Sequence, residues 1–212
     1  MTRGARVRGL YAIADTRYLD DTQLTTAVEQ ALAGGAGVIQ YRDKTAAHEV
    51  RQRQARALAA LCRSHQALFI VNDDVDLARR VNADGVHLGR DDAPVLQARR
   101  ALGDEAVIGV SCYNELARAE HAAAHGADYV AFGSFFASRT KPNAVRAPLD
   151  LLHTARAALA VPIVAIGGIT PDNAGELIHA GASAIAVIEG VFAQADARAA
   201  AARYARLFEQ IA

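Results

Sequence analysis

The chain has 212 residues, carries 23 basic and 23 acidic side chains, and is 52% hydrophobic. This length and composition allow one sizeable core without disulfide or metal cross-links. No basic tract is longer than the short segment Ala98-Arg99-Arg100, which argues against nucleic acid as the main partner. The N-terminus is basic but lacks a long apolar run, so we expect neither a signal peptide nor a membrane anchor. Cys62 and Cys112 lack metal-ligand spacing, and we interpret them as free thiols of a cytoplasmic protein.

Short apolar runs alternate along the chain with longer helical patterns, and little linker separates them. The runs predict strands at residues 9–14, 37–41, 68–72, 85–88, 107–110, 129–132, 163–166 and 184–187. The stretches between them predict helices near residues 22–33, 47–64, 74–81, 93–102, 115–125, 149–159, 172–180 and 195–210. Alternating units of this kind, with strands apolar on both faces, are typical of a parallel sheet. The sequence therefore predicts an α/β protein with one domain over residues 1–212, a single (β/α)8 TIM barrel.

In such a barrel the active site lies at the carboxyl ends of the strands. Gln40, Arg42 and Lys44 close the second strand, and they share one side because a strand alternates its faces. Two cations and an amide at this place indicate a receptor for a phosphorylated ligand. The segment 134–148, after the sixth strand, has the length of a lid or binding loop.

Two acidic residues at neighbouring strand ends indicate a metal site. Asp73 follows the third strand and Asp92 the fourth, and Mg²⁺ prefers one or two carboxylates together with substrate phosphate oxygens. We therefore predict Mg²⁺ as a cofactor held by this pair. The alternative is that Asp73 or Asp74 only caps the helix that follows. The pair Gly167-Gly168 after the seventh strand would free backbone N–H groups for a phosphate, or would form only a tight turn.

Other polar residues allow more than one interpretation. Ser138 and Thr140 flank Arg139, which suits phosphate oxygens, but polar filler in a solvated loop is the alternative. His87 lies within a short apolar run, which favours a core histidine with satisfied hydrogen bonds over a catalytic role. The order of residues suggests no Ser-His-Asp or Cys-His arrangement.

The motifs, taken in order, resemble those of the thiamine phosphate synthase family. The family's Gln-Leu-Arg-x-Lys is present at residues 40–44, with Tyr41 for leucine, and its Asn-Asp-Asp-Val-Asp-Leu-Ala is intact at 72–78. Its Ala-Asp-Gly-Val-His-x-Gly-Gln-x-Asp is present at 83–92, with Arg90 for glutamine. Further matches are Gly-Val-Ser at 109–111, a variant of Gly-Pro-x-Phe-x-Thr-x-Thr-Lys at 133–141, and Gly-Gly-Ile at 167–169. The resemblance runs from the second strand to the eighth.

The resemblance implies a Mg²⁺-dependent transferase of thiamine biosynthesis that joins hydroxymethylpyrimidine diphosphate to thiazole phosphate. Thiamine monophosphate and diphosphate would be the products, formed through a dissociated pyrimidine cation. The residues implied to bind the pyrimidine diphosphate are Gln40, Tyr41, Arg42, Asp43, Lys44, Asn72, Ser111 and Lys141. Arg42, Ser111 and Lys141 are the implied catalytic residues, and Asp73 and Asp92 the implied metal ligands. The residues implied to hold the thiazole phosphate are Ser138, Arg139, Thr140, Gly168, Ile188 and Glu189.

Three departures from the family pattern bear on the second substrate: Ser134 replaces proline, Ser138 replaces threonine and Glu189 replaces serine. A carboxylate beside a phosphate dianion is unfavourable, so we expect Glu189 to point away or to be paired. One alternative function is that of a thiazole tautomerase, a related barrel with histidine at the position of Ser134 and no need for a magnesium diphosphate site. Another is a non-catalytic phosphate-ligand binding barrel, for which Glu189 is the best support.

The expected partners are small-molecule substrates, with no nucleic acid and no membrane. The sequence leaves the oligomeric state open, and a homo-oligomer is compatible with it.

Overall fold

The computed structural model describes residues 3–137 and 145–211, which form a closed barrel of parallel strands whose order follows the chain. The strands are β1 (Gly9–Asp15), β2 (Ala36–Arg42), β3 (Leu68–Asn72), β4 (Gly85–Leu88), β5 (Val107–Tyr113), β6 (Tyr129–Phe132), β7 (Ile163–Ile166) and β8 (Ala184–Val187). The α-helices within the described ranges are α1 (Leu24–Ala33), α2 (His48–Ser64), α3 (Val75–Arg80), α4 (Val95–Leu102), α5 (Leu116–Ala124), α6 (Asp150–Ala158), α7 (Ala174–His179), α8 (Glu189–Phe192) and α9 (Ala197–Ile211). The predicted (β/α)8 TIM barrel is confirmed.

Each strand divides its side chains between the barrel interior and the layer beneath the helices. Tyr11, Val38 and Ile70 belong to the inner cluster of buried side chains. Leu10 and Ile39, one residue along their strands, belong to the outer cluster that packs against the helices. Because side chains alternate between the faces, position along a strand decides which residues can reach the mouth of the barrel.

Two strands continue into charged residues that the hydrophobic pattern does not include. β1 extends to Asp15 and β2 to Arg42, and these two residues are register partners across the parallel pair. The apolar pattern predicts an end before each of them, but their mutual ion pair compensates the cost of placing charge there. β5 likewise continues to Tyr113, past the predicted end at Val110.

A short helix after β8 is absent from the predicted elements. α8 spans four residues, Glu189–Phe192, directly after the last strand. A single turn of helix is too short to produce a recognisable hydrophobic period.

Both cysteines are buried free thiols, in agreement with the sequence interpretation. Burial raises the pKa of Cys62 to about 12 and that of Cys112 to about 12, so neither thiol is poised for nucleophilic chemistry. Among the described residues, no helix has the length and apolar character that a bilayer crossing requires.

Candidate active site

The ends of three neighbouring strands are joined by a chain of charged contacts. Lys44, just after β2, places its Nζ 2.8 Å from Oδ2 of Asp73, which follows β3. The Asp73 carboxyl group in turn interacts electrostatically with that of Asp92, which follows β4. The backbone N–H of Gly89 donates to Asp92 Oδ2 at 2.6 Å and fixes that carboxyl group. Residues separated by almost fifty positions in sequence therefore meet at the carboxyl edge of the barrel.

The pKa values of Asp73 and Asp92 are shifted in opposite directions. Burial and the adjacent Asp73 raise the pKa of Asp92 above its ordinary value. For Asp73 burial acts in the same sense, but hydrogen bonds from Lys44 and Asp92 outweigh it, and the pKa is lowered. Two carboxyl groups this close favour a shared proton or a cation between them.

This donor set fits Mg²⁺ if other oxygens complete the coordination. In the described ranges no group of three or more His, Cys, Asp or Glu side chains could hold a metal ion. Two carboxylates alone do not fill an octahedral shell, so the remaining ligands would be water and substrate phosphate oxygens, the usual arrangement for Mg²⁺. The prediction that Asp73 and Asp92 lie together agrees with the structure, and their binding of Mg²⁺ stays a prediction.

The helix cap after β3 is Asp74 and not Asp73. Asp74 Oδ1 accepts a hydrogen bond of 2.8 Å from the backbone N–H of Leu77, which caps α3. Asp73 adopts a left-handed backbone conformation with φ of 63°, which aspartate tolerates better than most residues. Of the two roles that the sequence left open, the helix cap belongs to Asp74, and the metal role of Asp73 stays a prediction.

Arg42 is held by an acid that the sequence interpretation did not include. Its Nη1 lies 2.6 Å from Oδ2 of Asp15, whose side chain is only 1% exposed. Arg17 binds the same carboxylate through Nη2, 2.8 Å from Oδ2, and through Nε, 3.0 Å from Oδ1. Burial opposes ionisation of Asp15, but Arg17 and Arg42 outweigh it and its pKa is lowered. An acid directly after a strand predicted to end at Ala14 was the signal that could have identified it.

A hydrogen-bonded chain runs down the centre of the barrel from Ser111. Ser111 Oγ lies 2.9 Å from Nε2 of His87, and Nδ1 of His87 lies 3.0 Å from the Tyr129 hydroxyl. The Tyr129 hydroxyl pairs with that of Tyr11 at 2.9 Å. Gly109 gives the Tyr129 ring its space, because a Cβ there would lie 2.0 Å from the ring. Both ring nitrogens of His87 have partners, as expected of a structural histidine.

Two predicted amide ligands face the same interior. Gln40 is 3% exposed and lies level with Ile13 of β1 and Ile70 of β3, both members of the inner cluster. Asn72 ends β3 opposite His87 in the register with β4. Their positions bring both amides to the upper interior of the barrel.

Tyr41 and Asp43 do not join this group. Tyr41 belongs to the outer cluster, and its hydroxyl donates to Gln54 Oε1 of α2 at 2.6 Å. Asp43 Oδ1 accepts hydrogen bonds from the backbone N–H groups of Thr45 at 2.8 Å and Ala46 at 2.9 Å, and it stabilises the turn after β2. The reason is the strand alternation itself: the face that carries Gln40 and Arg42 is not the face of Tyr41. We therefore leave both residues out of the candidate ligand set.

Glu189, one of the three departures from the family pattern, is paired. The Tyr18 hydroxyl donates to Glu189 Oε1 at 2.9 Å, which links the segment after β1 to the start of α8. Glu189 also contributes, after Asp15, to a raised pKa of Arg17. Its negative charge is therefore partly compensated, in agreement with the expectation that it points away or is paired. Ile188, immediately before it, packs against the inner cluster.

The loops after β6 and β7 lie against each other. Gly168 has a φ of 63°, and a Cβ there would lie 2.2 Å from the carbonyl oxygen of Ala137. Ser134 Oγ donates to the carbonyl oxygen of Phe136 at 2.7 Å, so this hydroxyl is used within the turn. The predicted ligands of the following segment lie outside the described residues: Ser138, Arg139, Thr140 and Lys141.

The chain is similar to one protein family along most of its length. The model of the family described as thiamine monophosphate synthase matches residues 10–191. The chain is 55% identical over 202 residues to a thiamine-phosphate synthase of Nitrosococcus oceani, with 95% of this chain and 93% of the relative covered. It is 58% identical over 198 residues to one of Chromobacterium violaceum, with 93% and 94% covered.

Solved structures also resemble this chain over almost its whole length. The chain superposes on a thiamine phosphate pyrophosphorylase from Pyrococcus furiosus with a TM-score of 0.89 and 36% identity, covering 99% of this chain and 98% of that chain. A geranylgeranylglyceryl phosphate synthase from Thermoplasma acidophilum, with a TM-score of 0.73 and 14% identity, covers 96% of this chain and 94% of that chain and shares the fold alone.

Proposed function

This chain belongs to the thiamine monophosphate synthase family, whose members are transferases of thiamine biosynthesis, and we propose that it joins hydroxymethylpyrimidine diphosphate to thiazole phosphate. The products would be thiamine monophosphate and diphosphate. The observation that carries this proposal is the contact chain from Lys44 through Asp73 to Asp92. It supplies one cation and two carboxylates at one edge of the barrel, which is what a magnesium-bound diphosphate requires.

The residues at the carboxyl ends of the barrel strands bind different parts of the pyrimidine diphosphate, the first substrate. Arg42 and Lys44 bind diphosphate oxygens, while Gln40, Asn72 and Ser111 orient the pyrimidine ring. Asp73 and Asp92 would hold Mg²⁺, which when bound would neutralise charge on the diphosphate. The resemblance adds Lys141 as a further cation on that group.

Bond cleavage in this account needs no protein nucleophile. The C–O bond to the diphosphate breaks first, and the electron pair leaves with the diphosphate, where Arg42, Lys44 and Lys141 stabilise the developing charge. The thiazole nitrogen then donates its electron pair to the pyrimidine methylene carbon. Positioning of the two rings supplies most of the remaining acceleration, because the barrel holds both partners at a fixed separation.

The second substrate binds on the opposite side of the mouth. The family resemblance assigns its phosphate to Ser138, Arg139 and Thr140, and backbone groups at Gly168 and Ile188 complete the proposed site. Glu189 contributes no phosphate contact in this proposal, because Tyr18 engages its carboxylate.

Two features weigh against the tautomerase alternative. The Ser134 hydroxyl is used inside its own turn and supplies no acid–base group of the kind a tautomerase histidine would provide. The carboxylate pair and the cations at the first-substrate side are more than a tautomerase needs.

We also propose a cytoplasmic location.

The proposal is tested by diphosphate release from purified protein, with each substrate omitted in turn and with Mg²⁺ removed by chelation. Release that requires both substrates and Mg²⁺ is the expected result. Isomerisation of the thiazole without diphosphate release would indicate the tautomerase, and binding of the pyrimidine diphosphate without turnover would indicate a degenerate binding protein.

A further inference from the structure

Asp15 lies at the mouth of the barrel, but a carboxylate has no obvious use beside a diphosphate. It ends β1, its side chain is 1% exposed, and it is the register partner of Arg42. A buried acid close to a polyanion should weaken binding by repulsion unless it serves another purpose. Its purpose must therefore lie in the groups that it holds.

The hydrogen bonds of Asp15 use both of its oxygens. Oδ2 accepts from Arg42 Nη1 at 2.6 Å and from Arg17 Nη2 at 2.8 Å. Oδ1 accepts from the Arg17 backbone N–H and Nε, both at 3.0 Å. The carboxylate is thereby fixed from both sides, and it fixes Arg42 in return. Within the described residues, Arg42 uses only Nη1 of its guanidinium group for a protein contact, the one with Asp15. The Nε and Nη2 donors of Arg42 therefore stay available to a ligand.

The charge balance of this group favours anion binding. One carboxylate and two guanidinium groups give the cluster of Asp15, Arg17 and Arg42 a net charge of about +1. Arg17 therefore compensates Asp15, and Asp15 orients Arg42 without cancelling its attraction for a phosphate. A planar guanidinium that is locked in place loses less side-chain entropy when it binds phosphate oxygens.

We propose that Asp15 is a positioning residue that holds the Arg42 guanidinium in the orientation that receives the pyrimidine diphosphate. This inference rests on the proposed function, because it assigns the diphosphate to Arg42. It predicts that Asp15 acts on the first substrate only, and only through Arg42.

Asp15→Asn is the main test variant. It keeps the shape of the side chain, but it removes the charge and sets an amide N–H₂ against guanidinium donors. We expect the KM for the pyrimidine diphosphate to rise about tenfold, because small displacements of a binding group are costly, while the KM for the thiazole phosphate stays within about twofold. In an Arg42→Ala background, Asp15→Asn should add little further change, because its effect would already be lost.

Asp128 provides a matched control at the opposite end of the barrel. Its side chain is 7% exposed and lies just before β6, and it also binds two arginines, Arg3 at 2.8 Å and Arg99 at 2.5 Å. Asp128→Asn should lower the free energy of unfolding without changing either KM. A purely structural role of Asp15 would give the same pattern as this control.

The outcomes separate the inference from the function on which it rests. If Arg42→Ala raises the KM for the pyrimidine diphosphate but Asp15→Asn behaves like Asp128→Asn, the positioning role is overturned and the proposed function stands. If Arg42→Ala itself leaves that KM unchanged, both the assignment of Arg42 and the positioning role fail. If Asp15→Asn does not fold, Asp15→Glu replaces it. That variant keeps the charge but shifts the guanidinium by one methylene, and the same selective rise in KM is expected.

Discussion

Lys44 Nζ lies 2.8 Å from Asp73 Oδ2 and ties the end of β2 to the end of β3. This contact places a cation directly beside a carboxylate. In the proposed function the cation binds the diphosphate, and the carboxylate binds the metal ion of the diphosphate. Both side chains are partly solvent-exposed, so the ion pair itself contributes little to stability. Its importance is geometric, because it brings the two kinds of phosphate-binding chemistry together at one point of the barrel rim.

Asp92→Ala should abolish most magnesium-dependent turnover while the barrel stays folded. The variant removes one of two carboxylates, and the remaining Asp73 alone is a weak site for Mg²⁺. We expect the rate of diphosphate release to fall at least about a hundredfold at millimolar Mg²⁺. The neighbouring Asp91 is exposed and serves as the control, since Asp91→Ala should leave the rate unchanged. Normal turnover in Asp92→Ala would remove Asp92 from the metal site.

Glu189→Ser should improve binding of the second substrate modestly. The carboxylate is paired with Tyr18, so its repulsion of a phosphate is only partly relieved, and removing it should lower the KM for the thiazole phosphate about threefold. The KM for the pyrimidine diphosphate should not change. A tenfold rise in the KM for the thiazole phosphate would instead mean that Glu189 takes part in binding.

Tyr129→Phe should destabilise the barrel more than Tyr11→Phe. The Tyr129 hydroxyl pairs with both Tyr11 and His87, whereas the Tyr11 hydroxyl pairs with Tyr129. Leaving a buried polar group without its partner costs about 1–3 kcal/mol. Tyr129→Phe removes a partner from two such groups, the Tyr11 hydroxyl and His87 Nδ1. The free energies of unfolding of both variants are compared by urea denaturation. An equal or larger loss of unfolding free energy for Tyr11→Phe would argue against a structural role of the hydrogen bonds that link His87, Tyr129 and Tyr11.

The stabilisation from Asp15 should disappear at acid pH. Its pKa is lowered in the folded protein because Arg17 and Arg42 outweigh the effect of burial. A lowered pKa means that the stabilising contribution is complete above the ordinary aspartate pKa of about 4 and is lost as the pH falls below it. The difference in unfolding free energy between wild type and Asp15→Asn should therefore be constant from pH 5 to 7, a window set about one unit above that pKa, and shrink toward pH 3. A difference that grows on acidification would contradict the ion pairing.

Much of the fold follows from the sequence because its strands are apolar on both faces. Strands β3, β4, β6, β7 and β8 have the predicted bounds, and the barrel follows from the repeated units. The strand ends at Asp15 and Arg42 were missed because each charge looks like the start of a loop when the residues are considered singly. Only the register of β1 with β2 reveals that they are neighbours that form an ion pair.

The candidate site was predictable in its components but less so in its orientations. The motifs identify Arg42, Asp73 and Asp92, but Tyr41 was included because it lies inside a motif, although strand alternation points it toward α2. The pairing of Glu189 with Tyr18 joins residues at opposite ends of the chain, and no local pattern contains it. Long-range contacts of this kind arise from closure of the barrel between β1 and β8.

The most direct test of the account is the ratio of thiamine monophosphate formed to diphosphate released, measured with both substrates at saturating Mg²⁺ and again after chelation. The account predicts equal amounts of the two products with Mg²⁺ and almost none of either without it. Diphosphate released without thiamine monophosphate, or undiminished synthesis after chelation, would contradict it.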